Sequence, residues 1–77
     1  MQAIEKRFGA AVRRQRERQK LSQEAFADKA GIHRTYVSSI ELGKVQISIV
    51  IADKLAAALE IPLSRLWREI EATAKDA

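Results

Sequence analysis

Gly31-Ile32-His33-Arg34-Thr35-Tyr36-Val37-Ser38-Ser39-Ile40-Glu41-Leu42-Gly43-Lys44 is the stretch that decides how this 77-residue chain is read. At about 100° per residue, a helix from about His33 to Leu42 places Val37 and Ile40 on one side and Arg34, Thr35, Ser38 and Ser39 on the other. The inner face is apolar and anchors the helix; the outer face is small, polar and headed by an arginine. An exposed helix face is ordinarily solvated by long charged side chains. A face of Ser, Thr and one leading Arg is instead shaped for close approach, and the major groove of double-stranded DNA fits it.

The residues on either side supply the setting. Ser22 is a good N-cap for a helix running to about Lys29, although Ala25 stands where Glu or Gln would complete a capping box. Phe26, Ala27 and Ala30 give that helix its buried face, and Gly31 supplies the left-handed position that ends it. Two short helices joined at a glycine make a helix-turn-helix over about residues 22–42. Before it, residues 3–19 read as a helix in which Ile4, Phe8, Ala11, Val12 and Gln15 share one face. Lys6, Arg7, Arg13, Arg14, Arg18 and Lys20 lie on the other faces. Such a run serves as a solvated surface, or, since Arg7, Arg14 and Arg18 fall on one line, as a track for a phosphate backbone. Arg16, one turn beyond Val12 at the edge of the apolar stripe, reads as a structural arginine that seeks an internal carboxylate.

After Gly43, a loop carries Lys44 and Gln46, both placed to flank a groove. Ser48 caps a fourth helix to about Leu59, with Ile49, Ala52, Leu55, Ala56 and Leu59 as its core stripe. Val50, Ile51, Ala57 and Ala58 leave this helix apolar almost all round, which suits contact with both a core and a second subunit. Pro62 belongs to the first turn of a fifth helix. Its seam of Leu63, Leu66, Trp67 and Ile70 either closes the core or, with the outer face of the fourth helix, joins two subunits. The dimerisation region expected on this reading is about 48–71, and residues 72–77 are expected to fray.

Bulk properties narrow the choice. Fourteen Lys and Arg against ten Asp and Glu give a net charge of +4, and residues 1–50 carry +5 of it while residues 51–77 carry −1. One half suits an anionic partner. The chain has no cysteine and one histidine, so disulfides and thiolate metal sites are excluded, a metal or Ser-His-Asp enzyme is hard to build, and neither a metal, a cofactor nor enzymatic activity is expected. No segment reads as a membrane span or a signal peptide, so a cytoplasmic protein with no membrane association is expected. At this size a single domain, 1–77, gains stability from a partner, and there is no room for a ligand-binding domain, so no small-molecule ligand is expected.

The run Ser22-Gln23-Glu24 with Phe26-Ala27, Ala30-Gly31-Ile32, Arg34 to Ser38 and Ile40 to Lys44 resembles the helix-turn-helix of Cro and lambda-type repressors, within the XRE-type regulators. The resemblance covers roughly residues 5–67. The Arg-Thr-Tyr-Val-Ser run in so short a chain is most similar to the controller proteins of restriction-modification systems. It implies an all-α, compact five-helix, lambda-repressor-like fold. It also implies a homodimer on palindromic operators that autoregulates and times endonuclease expression. A phage-type repressor, or an antitoxin whose second ligand is a protein, is the alternative.

Residue by residue, the resemblance implies that Arg34, Thr35 and Ser39 read base edges, and Ser38 is short enough to enter the groove with them. Gln23, Tyr36 and Lys44 are implied to meet the backbone, where Arg14 and Gln46 are further candidates. Leu42 stands where many relatives carry Asn or Arg, so no phosphate contact is assigned to it. Arg16 is implied to pair with Glu41. His33 caps the third helix, touches a phosphate or faces solvent. Val50, Ala57, Leu63, Leu66, Trp67 and Ile70 are the expected dimer contacts, and RNA polymerase is a further partner if the dimer activates.

Overall fold

The computed structural model describes residues 3–75, which form α1 (Ile4–Arg18), α2 (Gln23–Ala30), α3 (Arg34–Glu41), α4 (Ile49–Ala58) and α5 (Leu63–Lys75). The expected all-α, five-helix fold is observed, with no strand among the described residues. Local chemistry sets the boundaries. Ser22 and Ser48 start α2 and α4, their Oγ atoms accepting from the Ala25 and Ile51 amides at 3.0 and 3.1 Å. Each such cap contributes about 1 kcal/mol.

Four helices end in the same left-handed turn. Gly31 and Gly43 supply it after α2 and α3, both at φ 71°, while Lys20 and Glu60 supply it after α1 and α4 at φ 59° and 58°. In each case the next amide turns back to a carbonyl five residues earlier: Leu21 to Arg16, Ile32 to Ala27, Lys44 to Ser39 and Ile61 to Ala56, at 3.0–3.1 Å. A side chain in this conformation costs about 1–2 kcal/mol, so the two non-glycine turns need support. Gln19 Nε2 donates to Leu59 O at 2.8 Å, and Lys29 Nζ reaches Glu60 at 3.2 Å, which ties the end of α1 and α2 to the end of α4.

Phe8, Ala11 and Val12 of α1, Phe26 and Ala27 of α2, Val37 and Ile40 of α3, Leu55 and Leu59 around α4, and Leu66 and Ile70 of α5 meet in one core. Two glycines let the helices close around it. A Cβ on Gly9 would stand 2.1 Å from Ile40 O, so α1 packs on the end of α3 only because position 9 has no side chain. A Cβ on Gly43 would meet Lys6 Cα at 2.7 Å.

Several expectations are corrected. Ile49, expected in the core stripe, is 79% exposed, because it is the first residue of α4 and projects past the core. Pro62 precedes α5 rather than lying in its first turn, and its carbonyl accepts from the Arg65 amide at 2.9 Å. Residues 72–75, expected to fray, continue α5; the rest of that expected tail, Asp76 and Ala77, lies outside the described residues. No helix among the described residues is long and apolar enough to cross a membrane.

Candidate nucleic-acid interface

The site is built on α3, whose two faces are separated as the periodicity requires. Val37 and Ile40 are 0% and 2% exposed, whereas Arg34 and Thr35 are exposed and Tyr36, Ser38 and Ser39 are half-buried. Arg34, Thr35, Ser38 and Ser39 thus form one accessible polar face, with Tyr36 on its flank and Lys44 and Gln46 exposed in the following loop. The periodicity predicts a helix from about His33, and His33 is its N-cap. His33 Nδ1 accepts from the Thr35 amide at 3.1 Å and lies 2.7 Å from Thr35 Oγ1. Of the three readings open for His33, capping is the one the geometry displays.

Beneath this face a buried polar cluster holds α3 to the rest of the chain. Arg16 Nε and Nη2 donate to the two carboxylate oxygens of Glu41 at 2.7 and 3.0 Å, and Nη1 donates to Leu21 O at 2.7 Å. The side chains are 10% and 3% exposed. A two-pronged guanidinium–carboxylate pair fixes angle as well as distance. The hydrogen bond to Glu41 holds the Arg16 guanidinium above its ordinary value against the opposing effect of burial, so its charge persists throughout the pH range in which proteins fold.

Gln23, at the start of α2, donates from Nε2 to Glu41 Oε1 at 3.1 Å. Its amide therefore joins α2 to the same cluster. The three helices that set the orientation of the α3 surface share one carboxylate. Glu41 lies one turn after Val37, on the inward face, which is why a charged residue at this position is buried rather than solvated.

The line of Arg7, Arg14 and Arg18, read as a solvated surface or as a phosphate track, does not present three free guanidinium groups. Arg7 is half-buried, with Nη1 donating to Ile70 O at 3.3 Å and Nε enclosed without a hydrogen-bond partner. Arg14 Nη2 lies 3.5 Å from Glu69 Oε2 of α5, and Gln15 donates to the other oxygen of the same carboxylate. The face of α1 that carries Arg7 and Arg14 is turned toward α5. Arg18 remains exposed. Glu69 is the partner that sequence reading missed, because a contact 54 or 55 residues away leaves no local periodic signal.

The expected dimer contacts also divide. Leu66 and Ile70 are 0% and 1% exposed, so they close the core of one chain and present nothing to another. This corrects their assignment: the seam's inner two residues point inward because α5 packs against α1 and α4. Leu63 is half-buried, Ala57 is exposed, and Val50 and Trp67 are 61% and 37% exposed. Trp67 leans on Phe8 with ring centroids 5.8 Å apart and planes tilted by 52°. Beside it opens an apolar groove of about 290 Å³ whose walls include Ile4, Val45, Ile47 and Ile49. Among the described residues, no group of three or more His, Cys, Asp or Glu side chains could hold a metal ion.

Known proteins match this arrangement. A family model described as helix-turn-helix covers residues 12–66. The control protein C.MunI of a Mycoplasma species is 46% identical over 72 residues, spanning 92% of this chain and 97% of that protein. The control protein C.BamHI of Bacillus amyloliquefaciens is 38% identical over 55 residues, 70% of this chain and 68% of that protein. The crystal structure of the restriction-modification controller protein C.AhdI from Aeromonas hydrophila superimposes with a TM-score of 0.79 at 39% identity, covering 80% of this chain and 94% of that one. The clp gene regulator ClgR from Corynebacterium glutamicum reaches 0.90 at 19% identity over 95% of both chains, a likeness of fold alone. The chain belongs to the helix-turn-helix family of DNA-binding regulators, in its branch of restriction-modification control proteins.

Proposed function

We propose that the chain acts in the cytoplasm as a homodimer that binds palindromic operators in double-stranded DNA, represses or activates the promoters beside them, and so times its own synthesis and that of an endonuclease. The observation that carries this reading is the accessible polar face of α3, held at a set angle by the Arg16–Glu41–Gln23 cluster. Arg34 is the principal base reader, because its planar fork matches guanine O6 and N7. Thr35, Ser38 and Ser39 complete the reading face. Tyr36, Lys44, Gln46 and the exposed Nε2–H of His33 meet phosphates, and Gln23 meets one with the amide hydrogen not given to Glu41.

One α3 spans few base pairs, so two copies about one DNA turn apart supply the specificity. The exposed apolar residues at the other end, Val50, Ala57 and Trp67, with Ile49 and the adjoining groove, support a subunit interface there. RNA polymerase is the further partner when the bound dimer activates.

Footprinting on the DNA flanking the gene tests the reading. Two protected half-sites are expected, and Arg34→Ala should flatten the preference at one or two symmetric base pairs, a loss of about 1–3 kcal/mol there. A uniform loss of affinity on every sequence would remove Arg34 from base reading, and equal affinity for all duplexes would reject sequence-specific regulation altogether.

A further inference from the structure

His33 and Thr35 are joined side chain to side chain as well as through the backbone. The Thr35 amide donates to His33 Nδ1 at 3.1 Å, so Nδ1 carries a lone pair and the ring hydrogen sits on Nε2. Thr35 Oγ1 stands 2.7 Å from that same Nδ1. A ring nitrogen already accepting from an amide has no hydrogen to give, so the hydroxyl is the donor in this contact. A threonine hydroxyl ordinarily rotates to donate or accept as its partner demands. Here its single hydrogen is drawn to Nδ1, whose one lone pair it shares with the Thr35 amide. The oxygen's lone pairs are left for whatever approaches this exposed corner of α3.

We propose that His33 is a positioning residue that fixes Thr35 as a hydrogen-bond acceptor, so that Thr35 selects an exocyclic amino group, cytosine N4 or adenine N6, in the major groove. This rests on the reading of α3 as the groove-reading helix. At that edge, cytosine and adenine present donors whereas guanine O6 and thymine O4 are acceptors. An acceptor brought against the Thr35 oxygen meets a lone pair instead of a hydrogen, and the hydroxyl can respond only by turning its hydrogen away from His33 Nδ1, which leaves the amide cap in place. The discrimination at this base pair therefore comes from a residue that itself reads no base.

The test is affinity-resolved selection of operators from a random duplex library with the full chain. At one symmetric position per half-site, the parent should favour C or A over G and T by roughly three- to tenfold, the effect of a single hydrogen bond. Thr35→Val, which keeps the branched shape and removes the hydroxyl, should reduce that preference below about twofold while the Arg34-dependent preference stays. His33→Ser keeps a cap oxygen for the Thr35 amide but can also donate, so it frees the hydroxyl and should admit G or T at the same position. Circular dichroism confirms that α3 persists in the variant. The proposal is overturned by a parental preference for G or T there, by Thr35→Val leaving the preference intact, or by His33→Ser leaving it unchanged. Those results spare the Arg34 preference and so spare the reading of α3; equal affinity for all duplexes, with no Arg34 preference either, overturns both.

Discussion

The α2–α3 end and the α4–α5 end of the molecule expose opposite chemistries over one shared core. At the first, every side chain on the outer face of α3 is polar, and the charged pair Arg16–Glu41 is sealed underneath. At the second, apolar groups come to the surface: Ile49 is 79% exposed, Val50 61% and Trp67 37%. Polar atoms are buried at the first end and apolar atoms are exposed at the second. The net charge divides the same way, +5 over residues 1–50 and −1 over residues 51–77. The two surfaces meet at the loop before α4, where Gln46 lines the same groove as Ile49 and Trp67.

The largest expected effect breaks the first region from below. Glu41→Ala leaves the Arg16 guanidinium buried without its carboxylate and should cost roughly 3–5 kcal/mol of stability, read by urea denaturation. A loss under about 1 kcal/mol would make the pair peripheral, like an exposed ion pair. Next comes the second region. Val50→Asp, on an exposed position, should weaken dimerisation by about 3 kcal/mol, more than a hundredfold, through charge placed in the interface. Sedimentation should then report half the parental mass with an unchanged unfolding transition; a retained dimer would move the interface off this face of α4.

Gly9→Ala should follow, at about 1–3 kcal/mol, because the new methyl meets the backbone carbonyl of Ile40 and α1 must back away from α3. Calorimetry measures the shift, and an unperturbed melting temperature would show that the two helices tolerate a wider spacing. The smallest effect sharpens the boundary between the regions. Arg14→Ala removes an exposed contact to Glu69 and should cost under about 1 kcal/mol of stability. Its DNA affinity should keep the parental dependence on salt. A log–log slope lowered by about one would return Arg14 to the phosphate backbone.

Much of the first region is legible in the chain. Apolar residues spaced at 3.6 separate the faces of α3, Ser22 and Gly31 punctuate α2, and Arg16 at the edge of a stripe announces a carboxylate partner before the partner is known. These are local signals, carried by neighbours within one or two turns. The second region is less legible. Leu63, Leu66, Trp67 and Ile70 make one seam on paper, but only packing against α1 and α4 separates Leu66 and Ile70, which are buried, from Trp67, which is not. The same limit hid Glu69 as the common partner of Arg14 and Gln15, and sent Arg7 to a carbonyl of α5 instead of toward a phosphate.

By itself, then, the sequence determined the five helices, the helix-turn-helix and the inward and outward faces of α3, because periodicity, caps and glycines act over a few residues. Only the tertiary structure decided that His33 caps α3 and takes the Thr35 hydroxyl as its partner, that Gln23 joins the Arg16–Glu41 pair, and which half of the α5 seam remains outside. A contact between side chains depends on rotamer and on the distance between helices, and those are set by the packing of the whole core.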